Sequence, residues 1–379
     1  MEGSAAMSPN LLYSTEEQDL RASVRDLLTD RCPPERVLEL CEEGGTGDPA
    51  LWHTLATQLG ATSLNVPDEL GGQGASVREV AVVAEELGRF VAPVPFLGSA
   101  VLATSALLGC RAGEHRDAVL AEVAAGNRTA TLVVPLSSCV GGSFPTAVRA
   151  REGRLSGSVR TVAEGAGADC LIVPAGGAEG PELYVVDATE SGVTVDAVTS
   201  FDITRPVSDV DLEDVAGVRI AGPDLAATVL EDAVRTGAGV LASEQVGVAE
   251  WCLDSTVEYL KQRYQFGRAL ASYQALKHRL ADLWYELVVA RAAARYAADQ
   301  LATAGDDAPV AVGVAQSLCA RVARHAAEEC VQLHGGIGMT WEHPAHLYLK
   351  RAKADEIALG SPSAHHGVLG PLVDLHPAP

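Results

Sequence analysis

The sequence predicts a mainly helical α+β chain: a helical first third, a middle of short strands, and a helical last third. Two observations predict it. Apolar residues recur at three- and four-residue steps through both outer thirds, as in Leu276, Leu280, Leu283 and Leu287, which form one stripe of an amphipathic helix. Between about Asn127 and Leu212 the β-formers instead come in short runs separated by Gly and Pro, with no helical pattern between them. Several short strands at regular spacing suggest a small antiparallel barrel or sandwich. The expected domains are 1–125, 126–222 and 223–379.

Taken in order, residues 1–10 read as a loose tail. Ser14 and Glu17 fit a capping box, and Leu20, Val24, Leu27 and Leu28 give the next helix one apolar face. A short helix runs from Trp52 to Leu59 and stops at Gly60. Asn65–Gly74 is a loop holding Pro67 and three glycines. A helix follows from about Ser76 to Phe90, and Pro93 and Pro95 break the chain before another at Ser99–Leu108. Strands are expected at Thr129–Leu136, Leu171–Val173, Leu183–Val186, Val193–Val198 and Val207–Leu212, with a hairpin corner at Gly153–Gly157. Helices return from Asp224 to about Leu359. One long helix ends near Arg263, a break follows at Phe266-Gly267, and Gln274 opens the next. A planar cation, an aromatic ring and an amide at one helix junction suit the phosphates and ring of a nucleotide.

Composition narrows the function classes. The formal net charge is −22 and no basic run is present, which argues against sequence-independent binding to nucleic acid or to an anionic membrane. No run of about 18 apolar residues is long enough to span a bilayer, and MEGSAAMSPN lacks the pattern of a signal peptide. The eight cysteines show neither C-x-x-C pairing nor metal-ligand spacing, so free, buried thiols in a reducing cytoplasm are expected. His343 and His346 are three apart, but Pro344 interrupts them and no further ligand completes a set, so no metal is expected. Those histidines suit a subunit contact or a helix cap instead. His365 and His366 carry no assigned role.

Three stretches in a fixed order carry a resemblance. They are Leu64–Gly74 with Glu85-Glu86-Leu87-Gly88, then Arg263-x-x-Phe266-Gly267 with Tyr273-Gln274-Ala275 and Leu280-Ala281-Asp282, then Val331–Thr340. Together they resemble the acyl-CoA dehydrogenase family over essentially the whole chain. The resemblance implies a helical domain, a β domain and a C-terminal helical bundle. It also implies FAD, with its flavin between the last two and its adenosine half reaching the neighbouring subunit. Arg263 matches the family's pyrophosphate-pairing arginine, and Phe266 and Gln274 match its neighbours. Gln332, Gly335 and Gly336 match residues that approach the ADP part, where glycine lets the backbone come close. Taken singly, each has an ordinary alternative: a surface arginine at a helix end, or a glycine helix break.

The family's own-subunit features are altered. Its T-E-P-x-x-G-S-D loop beside the flavin corresponds here to Pro135–Ser143, and its flavin-side tryptophan to Thr161. The usual positions of the catalytic glutamate hold Leu359 and Gly237, neither of which can take a proton. Glu244, seven residues after Gly237, falls two turns along the same helix face. Burial would raise its pKa, as a base requires. The alternative is a carboxylate bonded to a helix end or to an arginine such as Arg321. Glu231 and Asp232 need a gap in the match.

Three functions stay open. The chain is either a subunit that donates FAD contacts to a homologous partner carrying the base, or a self-sufficient homotetramer using Glu244, or a non-redox scaffold or acyl-binding homologue. The run Trp341–Arg351 is similar to that of actinobacterial two-chain acyl-CoA dehydrogenases acting on steroid side chains, which implies a heterotetramer. The implied substrate is an acyl-CoA, with an acyl carrier protein as the other possible carrier. Electron-transfer flavoprotein is the implied electron acceptor.

Overall fold

The computed structural model describes residues 11–43 and 47–375; the expected tail at 1–10 lies outside them. The first third holds α1 (Thr15–Arg31), α2 (Pro34–Glu42), α3 (Pro49–Leu59), α4 (Val77–Arg89), α5 (Thr104–Gly109) and α6 (Glu114–Ala124). Helix α1 begins at the predicted capping box, with Ser14 Oγ accepting from Glu17 N–H and Glu17 answering to Ser14 N–H. Ser76 and Glu79 cap α4 in the same way. Helix α3 starts three residues earlier than expected, because Asp48 caps Leu51 N–H and Pro49 occupies the first turn. The segment expected as one helix at Ser99–Leu108 is a π-helical stretch, Phe96–Ala103, running into α5. Helices α2 and α6 were not foreseen.

The middle of the chain holds β1 (Ala130–Leu132), β2 (Val148–Arg151), β3 (Arg154–Ala163), β4 (Cys170–Gly176), β5 (Pro181–Asp187), β6 (Val193–Val198), β7 (Val207–Ala216) and β8 (Val218–Ala221). They form one sheet in the order β6-β7-β3-β2-β4-β5-β8, with β1 beside β4. Most pairings are antiparallel, as expected, but β1 and β2 each run parallel to β4, so the sheet is mixed. The hairpin corner expected at Gly153–Gly157 lies earlier, at Glu152-Gly153, both in the left-handed region that a tight two-residue turn requires, and residues 154–157 belong to β3. This sheet wraps its own apolar core of Val148, Leu155, Val159, Leu171, Val173, Val210 and their neighbours.

Helix α7 (Ala226–Gln262) then crosses the molecule, followed by a small hairpin of β9 (Tyr264–Gln265) and β10 (Arg268–Ala269). Helices α8 (Gln274–Ala302), α9 (Ala308–His334), α10 (Ala345–Ile357) and α11 (Pro362–Leu372) complete the bundle. The larger core unites these with the N-terminal helices. Leu283 and Leu287 of the predicted stripe are fully buried, while Leu276 and Leu280 are half-buried. Helices α4 and α7 cross backbone to backbone: a side chain at Gly247 would strike the Glu85 carbonyl, and one at Gly88 the Glu244 carbonyl. That close crossing holds Glu244 deep between the domains. No helix among the described residues is long and apolar enough to cross a membrane.

Candidate functional site

Helix α7 ends where Arg263 turns to extended backbone, its carbonyl accepting from Leu270 N–H at 2.8 Å. Phe266 and Gly267 take positive φ values of 54° and 79° and close the β9–β10 turn. Helix α9 ends at His334, because Gly335 adopts φ +66°. These two helix ends meet around a cavity of about 650 Å³, with Tyr259, Arg263, Gln332, His334, Gly335 and Gly336 in its wall. Four of the six expected cofactor residues are therefore brought together. Phe266 projects from the hairpin tip, 92% exposed, and Gln274 is exposed at the start of α8; neither lines the cavity.

The wall suits an anion. Arg263 has no ion-pair partner among the described residues, although the chain is strongly acidic. Cβ atoms built at Gly335 and Gly336 would meet nothing within 4 Å, so a ligand can approach that backbone. An unpaired guanidinium beside open backbone fits the diphosphate of FAD.

The positions matched to the flavin bed and the base lie elsewhere and converge. Leu136 N–H donates to the Thr161 carbonyl at 2.9 Å, and Leu359 N–H donates to the Leu136 carbonyl at 2.7 Å. Leu359 is fully buried at φ +52°, and its carbonyl lies 2.9 Å from Nε2 of buried His365. A Cβ at Gly237 would sit 2.5 Å from Leu102 Cδ2 and 2.9 Å from Leu359 Cδ1. The two usual base positions thus share one packed apolar spot, tied by backbone hydrogen bonds to the loop that replaces the flavin cradle. The same loop also lines a cavity of about 340 Å³ whose walls include Ser138, Gly142, Phe144, Leu230 and Glu231. Glu231 pairs with Arg235 at 2.7 Å, and Asp232 pairs with the same arginine.

Glu244 is buried, and its surroundings reverse the pKa shift that burial alone would give. Arg205 Nη2 lies 2.6 Å from both of its oxygens, and Arg351 Nη1 lies 2.5 Å from Oε1. Burial alone would raise its pKa; the two guanidiniums outweigh it and hold the carboxylate below its ordinary range. The arginine alternative came closer, though the partners are Arg205 and Arg351. Arg321 instead faces Glu286 at 3.7 Å.

The cluster continues outward. Arg205 also pairs with Asp355, and Arg351 reaches Asp202 at 2.6 Å and Thr204 at 2.7 Å. Glu164 accepts from Gly98 N–H at 2.7 Å and stands 3.7 Å from Arg205. Burial pushes the Glu164 and Asp355 carboxyls up to about 7. The cluster ties the β domain (Glu164, Asp202, Arg205) to α7 and α10.

His343 acts as a cap, its Nδ1 accepting from Ala345 N–H at 3.2 Å. His346 packs edge-on against Trp341. Among the described residues no group of three or more His, Cys, Asp or Glu could hold a metal ion. All eight cysteines are free, and six are buried.

The family model described as "Acyl-CoA dehydrogenase, N-terminal domain" matches residues 14–127, and "Acyl-CoA dehydrogenase, C-terminal domain" matches 227–369. Acyl-CoA dehydrogenase IpdE2 of Mycobacterium tuberculosis is 34% identical over 348 residues, covering 92% of this chain and 94% of that protein. Among solved structures, the ChsE4-ChsE5 complex of Mycobacterium tuberculosis contains a similar chain, with a TM-score of 0.86 and 30% identity, covering 98% of this chain and 100% of that one. A variant of the Tcur3481-Tcur3483 steroid ACAD superposes with a TM-score of 0.82 at 29% identity, covering 95% of this chain and 98% of that one. With both family models matched and a relative above 30% identity along nearly its whole length, the chain belongs to the acyl-CoA dehydrogenase family.

Proposed function

We propose that this chain is the donor subunit of an FAD-dependent acyl-CoA dehydrogenase assembled from two unlike homologous chains. Arg263, Gln332, Gly335 and Gly336 would hold the diphosphate side of an FAD whose flavin lies in the partner, and the partner would carry the base. FAD when bound supplies the acceptor for the hydride that leaves the β-carbon of an acyl thioester. The observation that carries this reading is the contrast between the two halves of the site. The anion-binding wall is open with Arg263 unpaired, whereas at the base positions Gly237 packs against Leu359, whose N–H is bonded to the Leu136 carbonyl of the altered loop.

Two further observations support it. Glu244 is occupied by two arginines, so it serves as a strut between domains, not as a proton acceptor. The similar chains in the ChsE4-ChsE5 complex and the Tcur3481-Tcur3483 enzyme come from two-chain assemblies. By similarity to the Tcur3481-Tcur3483 steroid ACAD the substrate would be the thioester of a bulky, steroid-derived acyl group, and by resemblance to the family the electron acceptor would be an electron-transfer flavoprotein. Eight free cysteines suit a reducing cytoplasm.

Arg263→Ala in the mixed assembly tests the reading. Arg263 is exposed, so oligomer mass and thermal stability should not change, while FAD affinity should fall about tenfold or more with the loss of a charge-assisted contact. Unchanged flavin retention would contradict the proposal.

A further inference from the structure

His334 shares the cavity wall with Arg263, Gln332, Gly335 and Gly336, yet the family match gave it no role. It is the last residue of α9 and only 3% exposed. Its ring lies between Tyr259, at 4.4 Å, and His343, at 4.3 Å. Nδ1 lies 2.7 Å from the Cys330 carbonyl, so Nδ1–H donates there and its tautomer is fixed. Nε2 has no hydrogen-bond partner among the described residues. A buried ring nitrogen without a partner is uncommon in a folded protein.

We propose that His334 is a further anion contact of this cavity, donating through Nε2–H to an oxygen of a bound adenosine diphosphate group. The inference rests on the reading of the cavity as a nucleotide site. Because Nδ1–H is committed to the Cys330 carbonyl, neutral His334 presents only a lone pair at Nε2. Protonation converts Nε2 into a charged donor beside Arg263. Phosphate oxygens accept hydrogen bonds, so only the imidazolium makes the contact.

The groups around the ring set when that proton is held. Helix α7 supplies Cys252, Tyr259 and Arg263; α9 supplies Cys330, whose Sγ is 3.6 Å from Nδ1; the segment before α10 supplies His343. Burial pushes His334 down, but its bonds to Cys330 outweigh burial and leave its pKa raised. The Cys330 thiol is in turn lowered to about 5, chiefly by hydrogen bonding to Cys252 and also by His334. His343 is pushed down to about 4, first by burial and then by His334. The stacked pair therefore carries its proton on His334. The contact is present at low pH and is lost as pH rises through the raised His334 pKa.

Calorimetric titration of the full chain with ADP at pH 6 and pH 9 tests the proposal. The unaltered chain should bind about tenfold or more tightly at pH 6, the range of one charge-assisted hydrogen bond. His334→Phe keeps a ring between Tyr259 and His343 and should abolish that pH dependence, with affinity at pH 6 falling to the pH 9 level. His334→Gln should also lose the pH dependence, and guards against a misfolded Phe variant. FAD and coenzyme A both carry an adenosine diphosphate group, so displacement of ADP by each identifies the source of the group. If Arg263→Ala weakens ADP binding but neither His334 variant alters affinity or pH dependence, the His334 contact is overturned and the nucleotide site stands. If the unaltered chain does not bind ADP at millimolar concentration, the nucleotide reading and this inference fall together.

Discussion

Replacing Glu244 by Gln separates a strut from a base. In the structure the carboxylate receives three bonds of 2.5–2.6 Å from Arg205 and Arg351, with all three side chains buried. The amide of Gln places an NH2 group against two guanidiniums, where one of the oxygens had accepted. Removing one partner from a buried ionic group costs about 3–5 kcal/mol. Unfolding entropy is about 2.1 cal/mol/K per residue, or about 0.8 kcal/mol/K for this length, so the midpoint should fall by about 4–6 °C. The assay is thermal unfolding of the chain at fixed concentration, together with turnover of the mixed assembly per bound flavin. The account predicts a lowered midpoint and unchanged turnover per flavin in the folded fraction. An unshifted midpoint with flavin retained and turnover abolished would refute the strut and make Glu244 the base.

Two other predictions follow from the same packing. Leu359→Glu places a carboxylate against Leu102 beside Gly237, with no cation among the groups described at that spot. It should lower stability by about 3 kcal/mol or more in denaturant unfolding and confer no dehydrogenase activity on the chain alone; activity in the isolated variant would contradict the account. Glu164 gives a pH signature. Its carboxyl keeps a proton up to about 7 in the folded chain against an ordinary value of 4.5, so the folded state binds the extra proton between those limits. Its contribution to stability should therefore fall as pH rises through that window, by about 1.4 kcal/mol per pH unit at the steepest. Glu164→Gln should remove that fall from denaturant curves at pH 5 and pH 7.5; an identical slope in the variant would contradict the assignment.

Local signals carried much of the fold. The capping box at Ser14 and Glu17, the stripe ending in Leu283 and Leu287, and the break at Phe266-Gly267 all depend on neighbours within one or two turns. Helix α3 was misjudged only because Asp48-Pro49, itself a local start signal, went unread. The parallel pairings of β1 and β2 with β4 were not legible, since parallel neighbours join through distant segments and leave no hairpin signature. The site divided in the same way. Arg263 and the glycines after His334 sit at helix ends, where the chain pattern itself changes. The partners of Glu244 come from 39 and 107 positions away, and no periodicity links them. Nor could spacing show that Leu359 binds Leu136 and packs on Gly237, for these lie on three separate elements. His334 left one overlooked signal: a histidine placed directly before the two glycines at a helix end.

The most direct test of the donor-subunit account is bound FAD per chain, measured with oligomer mass, for the chain alone and with homologous chains encoded beside it. The account predicts no flavin retained through purification of the isolated chain and one FAD per pair of unlike chains in the mixed assembly. One FAD per chain in a homo-oligomer would contradict it, and would show that the packed spot formed by Leu136, Gly237 and Leu359 opens to receive a flavin.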